Sequence, residues 1–298
     1  MVRSIATLLP WLVLSCATTS RLPESVEVLH DVEYSRVGGR PLRMEIARPK
    51  HPPAEPMPVL LWLHGGGWKE GSHRENYLSS LATNGYFTAS IEYRLSGEAK
   101  WPAQIEDVKL AVRWLRAHAR SFHINPERIG VVGISSGGHL AACLGMMDAS
   151  AGFDAAGGYT QFSSRVQAVV DLCGPVIFVR PVHLSGARTE DAPVLVKLFG
   201  GTYRERTAAW HSASPIPHAS PDDPPFLIIH GEADKLVSIA DSEALVAALQ
   251  RAGVPVEFIR VKNGGHDLEP AWFWQRAEPR FEELTRRAVE FLDRHLKP

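Results

Sequence analysis

Ser135 stands in Gly133-Ile134-Ser135-Ser136-Gly137, between the apolar run Ile129–Val132 and an apolar stretch of helical character. A serine placed where a strand turns sharply into a helix is a nucleophile elbow. The turn tolerates almost no side chain on either side, and the serine backbone is strained so that Oγ rises above the sheet edge beside the helix amides. A second group, His64-Gly65-Gly66-Gly67-Trp68, ends the strand-like run Val59–Leu63. Acyl transfer builds negative charge on a carbonyl oxygen, and glycine lets backbone amides approach it closely. Gly66 and Gly67 are therefore candidate oxyanion donors, with the amide of Ser136 as a third. Late in the chain Phe226–His230 reads as a buried strand that ends in Gly231-Glu232-Ala233-Asp234, and the strand Val256–Val261 leads to Asn263-Gly264-Gly265-His266. The spacing predicts that Ser135 attacks an acyl carbon, that His266 takes and returns its proton, and that Asp234 holds the imidazole in the useful tautomer.

Other residues compete for these roles. Asp171 also ends a strand-like run, Val166–Leu172, and is the alternative acid. Asp267 adjoins His266 in sequence, so its side chain diverges from the imidazole. His139, on the helix after the elbow, is expected to pack or hydrogen-bond there, and His64 to prop the glycine loop. Trp68, Trp272 and Trp274 flank the oxyanion and histidine loops; they either offer aromatic faces to a substrate or close the core. No run of His, Cys or Glu has metal-ligand spacing and no glycine-rich loop has a phosphate-binding pattern, so neither metal nor cofactor is expected.

The elements that must position these groups alternate strand with helix. His30–Ser35 and Leu42–Arg48, joined by Val37-Gly38-Gly39-Arg40, read as an antiparallel hairpin. Ala89–Tyr93 is a strand. Ile105, Val108, Ala111, Val112 and Leu115 recur at helical spacing with one apolar face, and Asn125-Pro126 precedes the elbow strand. Ser238–Ala252 is amphipathic, and the last helix, about 277–296, buries Phe281, Leu284, Ala288, Phe291 and Leu292. The pattern implies an α/β fold with a mostly parallel sheet covered on both faces. Room for a cap exists in Gly174–Ala213, which holds an apolar helical piece near Val194–Phe199. A small cap leaves the site open on one side and suits small acyl esters, or esters on a large carrier.

With 298 residues, 45% hydrophobic and 22% charged, the chain can bury the core of one α/β domain. A formal net charge of −1 without a basic cluster excludes nucleic acid as an expected partner. Residues 1–15 read as a signal segment: Met1–Arg3 is basic, Ile5–Leu14 is apolar and too short to span a bilayer, and Val13-Leu14-Ser15-Cys16 resembles a lipobox. Cys16 is then the lipidated residue and 16–29 a tether to a domain over 30–298. Ala17 resembles the residue after the cysteine in lipoproteins sent to the outer membrane, which places the protein at the bacterial cell envelope; an ordinary secretory signal cleaved near Ala17 is the alternative. Cys143 and Cys173 read as buried thiols, though a pair could form in an oxidising compartment.

Taken together, His64–Trp68, Glu92-Tyr93-Arg94-Leu95, Gly133–Leu140, Ser214-Pro215, Pro224–Val237 and Gly264-Gly265-His266 resemble the α/β-hydrolase serine esterases, over roughly residues 30–296. The nearest branch is the acetyl-esterase and feruloyl/acetylxylan-esterase-like group related to hormone-sensitive lipase. Ser136 stands where many relatives carry alanine and Glu92 where many carry aspartate; neither touches the triad. The resemblance implies a cofactor-free carboxylic-ester hydrolase whose substrate is a small molecule or is borne on a polysaccharide. An amidase, peptidase or formamidase of the same fold, or a silent hydrolase used as a binding protein, is the alternative.

Overall fold

The computed structural model describes residues 22–178, 183–184, 187–188, 192–266 and 277–298. Its elements, in chain order, are strands β1 (Val26–Val37), β2 (Arg40–Pro49), β3 (Met57–Leu63) and β4 (Phe87–Ile91), then helices α1 (Ala103–Ala117) and α2 (Ala119–Phe122). Strand β5 (Ile124–Ile134), helix α3 (Ser136–Met146) and β6 (Ala168–Leu172) follow, with a small pair β7 (His183–Leu184) and β8 (Ala187–Arg188). The chain continues through α4 (Pro193–Phe199), α5 (Thr207–Ser212), β9 (Phe226–Gly231), α6 (Ile239–Ala252), β10 (Val256–Val261) and α7 (Phe281–Leu296).

The main sheet has eight strands in the order β1-β2-β4-β3-β5-β6-β9-β10. β1, β2 and β4 pair antiparallel; every pairing from β4 through β3 to β10 is parallel. The parallel strands read as continuous apolar runs because both of their faces are covered. Alternation along each strand divides the core in two. Leu61, Leu63, Val131, Val169, Phe226 and Ile228 face one cluster, with residues of α1, α3 and α6. Leu60, Trp62, Val132, Val170, Leu227 and Ile229 face the other, with Leu284, Phe291, Leu292 and Leu296 of α7. At ~1.5–3 kcal/mol for each fully buried side chain, the α7 residues alone are enough to dock that helix.

The expected architecture is present, although α7 starts at Phe281 rather than near 277 and leaves Phe281 only half-buried, and three further differences stand out. β1 begins at Val26, inside the segment read as tether, because its pairing with β2 runs out to Pro49. Asn125-Pro126 lies within β5, at the register shift where β3 passes from Ile124 to Ile129. The polar face of α1 is not solvated: Lys109 and Arg113 are buried. Lys109 Nζ donates to Asp154 at 2.7 Å and to the carbonyl of Met147 at 2.6 Å, and Arg113 donates to the carbonyl of Ala156 at 2.6 Å. Their cations thus pin the loop after α3 onto the helix.

Every candidate reactive residue follows the carboxyl end of a parallel strand: His64 after β3, Ser135 after β5, Asp234 after β9 and His266 after β10. That is the edge at which open parallel sheets carry their sites.

Candidate active site

The elbow glycines have a steric cause. A Cβ on Gly133 would lie 2.1 Å from the carbonyl oxygen of Gly137, and one on Gly137 would lie 2.1 Å from that of Leu63. Ser135 sits between them at φ 53°, ψ −118°. A non-glycine residue held there costs roughly 1–3 kcal/mol and persists only because its surroundings over-determine it. The Ser135 amide donates to Leu172 at 2.8 Å, which locks the turn to the end of β6.

From this perch Ser135 Oγ donates to His266 Nε2 at 2.9 Å, and His266 Nδ1 donates to Asp234 Oδ2 at 2.7 Å. The three residues predicted from sequence are therefore brought together in one relay. The Asp234 side chain is wholly buried. Its Oδ1 accepts the amides of Leu236 at 2.8 Å and Val237 at 2.9 Å. Burial works against its charge, but hydrogen bonds from His230 and His266, with the Val237 amide, hold the carboxyl well below the usual carboxylate range.

His230 is a partner that sequence reasoning passed over as the end of a strand. Its Nε2 lies 3.2 Å from Asp234 Oδ2 and 3.1 Å from the Val237 carbonyl, both acceptors, so Nε2 carries the proton. Nδ1 then accepts from Ser242 Oγ at 2.7 Å. A buried histidine in a fixed tautomer thus braces the acid from behind. The signal was present in the spacing, since His230 and Asp234 stand at either end of one tight turn.

The glycine loop lies against the elbow: a Cβ on Gly65 would come within 3.2 Å of the Ile134 carbonyl and 3.6 Å of Ser135 Cβ. Gly66 (φ 104°) and Gly67 (φ 59°) adopt left-handed conformations. A Cβ on Gly66 would lie 2.3 Å from the Glu70 carbonyl oxygen. The amides of Gly66 and Gly67 meet no acceptor among the described residues, and the Ser136 amide belongs to the first turn of α3. Such amides are the donors an acyl oxyanion needs. His64 props the loop as expected: it stacks on Tyr93 with ring centroids 4.3 Å apart, and its carbonyl accepts Tyr93 Oη at 2.9 Å. Burial pushes the His64 imidazole down to about 4, so it stays neutral at pH 7.

The expectation that Trp68 offers a face to substrate is corrected. Trp68 is 3% exposed within the core. Its Nε1 donates to His139 Nδ1 at 3.2 Å, and its ring meets those of His139 and Phe178 edge-on. Trp68 itself takes a left-handed backbone conformation, φ 54°. His139, whose Nε2 donates to the Ala213 carbonyl at 2.8 Å, ties the loop to α3 and to the segment after α5. Trp272, Trp274 and Asp267 lie outside the described residues, as does Cys16. The piece read as a cap helix is α4, whose Val194 comes within 3.1 Å of where a Gly67 Cβ would be, so α4 packs over the oxyanion loop.

Asp171, the alternative acid, is fully buried and turned toward α3; its Oδ1 accepts the Gly174 amide at 2.9 Å. Burial pushes its carboxyl up to about 6, against the pull of that amide. An acid raised on folding favours the protonated form. The stability this contributes is full below the unfolded pKa and is lost as pH rises through about 6. Asp171→Asn removes the dependence, so the variant should gain on wild type between about pH 4 and pH 7, by up to about 3 kcal/mol. Denaturant unfolding at a series of pH values checks this; a difference that shrinks with rising pH contradicts it.

A strained serine on an elbow, a Ser-His-Asp relay and an adjacent glycine loop, on a mostly parallel eight-stranded sheet, define an α/β-hydrolase. More narrowly, the chain belongs to the BD-FAE family, whose model matches residues 44–249. It is 31% identical over 230 residues to the esterase LipC of Mycobacterium tuberculosis, covering 76% of this chain and 57% of that protein. The chain spans about half the length of the curated relatives it matches. Among solved structures, a truncated carbohydrate esterase from gut microbiota is 30% identical with a TM-score of 0.70, covering 89% of this chain and 96% of that one. A thermophilic esterase from the planctomycete Thermogutta terrifontis is 26% identical with a TM-score of 0.72, covering 92% and 95%.

Proposed function

We propose that this chain is a carboxylic-ester hydrolase that works through an acyl-enzyme on Ser135. The observation that carries the reading is the unbroken relay from Ser135 Oγ through His266 to buried Asp234, at 2.9 and 2.7 Å. In the forward step Oγ adds to the ester carbonyl while His266 Nε2 takes its proton, and Asp234 stabilises the imidazolium. The oxyanion is met by the amides of Gly66, Gly67 and Ser136. His266 then protonates the departing alcohol, and a water activated by the same nitrogen hydrolyses the acyl-enzyme. The chemistry needs only side chains and backbone amides.

The substrate class we favour is small acyl esters, or esters of carbohydrate or aromatic acids. Similarity to a carbohydrate esterase over 89% of the chain supports it, as does a cap built of short helices. A panel of p-nitrophenyl esters from acetate to palmitate, with acetylated xylan and methyl ferulate, tests the reading. Short acyl or polysaccharide esters should be cleaved and palmitate poorly; a wholly negative panel contradicts it.

The lipobox-like run ending at Cys16 supports a lipid anchor at the bacterial envelope, where several acyl chains at ~0.8 kcal/mol per buried methylene would hold the enzyme stably. Among the described residues no helix is long and apolar enough to cross a membrane. Cys16→Ala should abolish lipidation and move the protein out of the membrane fraction or block its processing. Mass spectrometry of the mature N-terminus decides: an unmodified start downstream of Cys16 rules the anchor out.

A further inference from the structure

We propose that Cys173, Asp234 and His266 form a site for a thiophilic divalent cation, Zn²⁺ or Cd²⁺, whose binding switches the relay off. No segment of the sequence has metal-ligand spacing, but the fold assembles a donor set from three strand ends. One thiol, one carboxylate oxygen and one imidazole nitrogen lie within 4.8 Å of one another. Sulfur, nitrogen and oxygen in that ratio are a donor set zinc accepts. Around a tetrahedral ion with bonds of ~2.0–2.3 Å, ligand atoms stand roughly 3.3–3.8 Å apart, so Cys173 Sγ needs to close by about an ångström, while His266 Nδ1 and Asp234 Oδ2, 2.7 Å apart, open by roughly half an ångström to admit the ion.

The placement of Cys173 is specific. It follows β6 in a left-handed conformation, φ 48°, with its amide held by the Ile229 carbonyl at 3.0 Å. That turn sends Sγ to within 4.0 Å of the His266 carbonyl oxygen. Cys143, the other cysteine described, is instead enclosed beside His139, with Sγ 3.2 Å from Nε2. Cys173 also lines the apolar groove between the sheet and α7, with Leu172, Gly265 and Leu292.

Binding and catalysis exclude each other by proton arithmetic. In the relay His266 Nδ1 carries the proton donated to Asp234, and Nε2 is the base facing Ser135. A cation bound by Cys173 Sγ, Asp234 and His266 Nδ1 takes the place of that proton. The thiol proton is released to solvent, and the imidazole proton passes from Nδ1 to Nε2. His266 then presents an N–H to Ser135 Oγ and has no lone pair with which to accept its proton.

The inhibitory half rests on the proposed hydrolase reading; the binding half does not, and the two are read separately. Cd²⁺ titrated into the full chain should raise a thiolate-to-cadmium charge-transfer band in the ultraviolet that saturates at one ion per chain. The band should vanish in Cys173→Ser and persist in Cys143→Ser and Cys16→Ala, with circular dichroism melts confirming that each variant folds. In parallel, Zn²⁺ should inhibit hydrolysis of p-nitrophenyl acetate reversibly with EDTA. Cys173→Ser should retain basal hydrolysis and require at least about tenfold more zinc. A band absent from wild type, or unchanged in Cys173→Ser, overturns the site. Equal zinc sensitivity of wild type and Cys173→Ser overturns the switch. A cadmium band in a protein that cleaves no ester leaves the site standing and removes the hydrolase reading instead.

Discussion

Ser135→Ala is expected to lower kcat for p-nitrophenyl acetate by roughly 10⁴-fold or more while leaving the thermal unfolding profile close to wild type. The size of the loss follows from the triad acting as one unit: without Oγ, His266 has no proton to take and Asp234 no cation to stabilise. The residual rate belongs to the oxyanion amides, which a serine-to-alanine change does not move. Folding should survive because the strain at position 135 is a backbone property, φ 53°. It is enforced by the packing of Gly133 against Gly137 and of Gly137 against Leu63, and alanine bears the same Cβ as serine. Steady-state kinetics with active-site titration of the wild type check the result. A variant that keeps more than half of the activity would place the nucleophile elsewhere.

Asp234→Asn should cost on the order of 10³–10⁴-fold in kcat. The reason lies in which atoms carry protons. Asp234 Oδ2 faces two N–H donors, His266 Nδ1 at 2.7 Å and His230 Nε2 at 3.2 Å. An amide nitrogen in that place would donate into both, so His266 would shift its proton to Nε2 and lose its capacity as a base. If the asparagine flips, its oxygen meets the histidines but its nitrogen is aimed at the amides of Leu236 and Val237, which it cannot satisfy. Either arrangement injures the relay. Asp171→Asn touches none of these bonds and should leave kcat within a few-fold of wild type, although its stability responds to pH. Should Asp171→Asn prove the more damaging to kcat, the acid has been misassigned.

The two aspartates show how far sequence carries. Asp171 lies inside β6 and Asp234 three residues beyond β9; sequence pattern favours Asp234 but leaves Asp171 as the alternative, and side-chain direction removes it. β6 and β9 are neighbours, yet Asp171 is turned onto α3, where Gly138 and Gly174 crowd its Oδ1, while Asp234 stands beyond the strand on a turn that reaches His266. The elbow and the glycine loop were legible because their chemistry demands residues without side chains at fixed offsets. Trp68 is open in sequence between a substrate face and the core, and its contacts with His139 and Phe178, distant in sequence, place it in the core. His230 and Cys173 are instances of a third kind: their partners are distant in sequence or hidden by an innocuous strand pattern. Only strand order places Cys173 beside residues 234 and 266. The buried cations of α1 belong to the same kind, since their loop partners carry no periodicity to read.

Ser135 Oγ is the atom that is acylated in this mechanism. Paraoxon, which transfers a diethylphosphoryl group to activated serines, followed by proteolysis and tandem mass spectrometry, tests that without any assumption about the natural ester. The relay at 2.9 and 2.7 Å predicts one label per chain, on Ser135 and not on the adjacent Ser136, with hydrolysis of p-nitrophenyl acetate lost in step with labelling. A label on any other residue that tracks the loss of activity, or full inhibition with Ser135 unmodified, would contradict it.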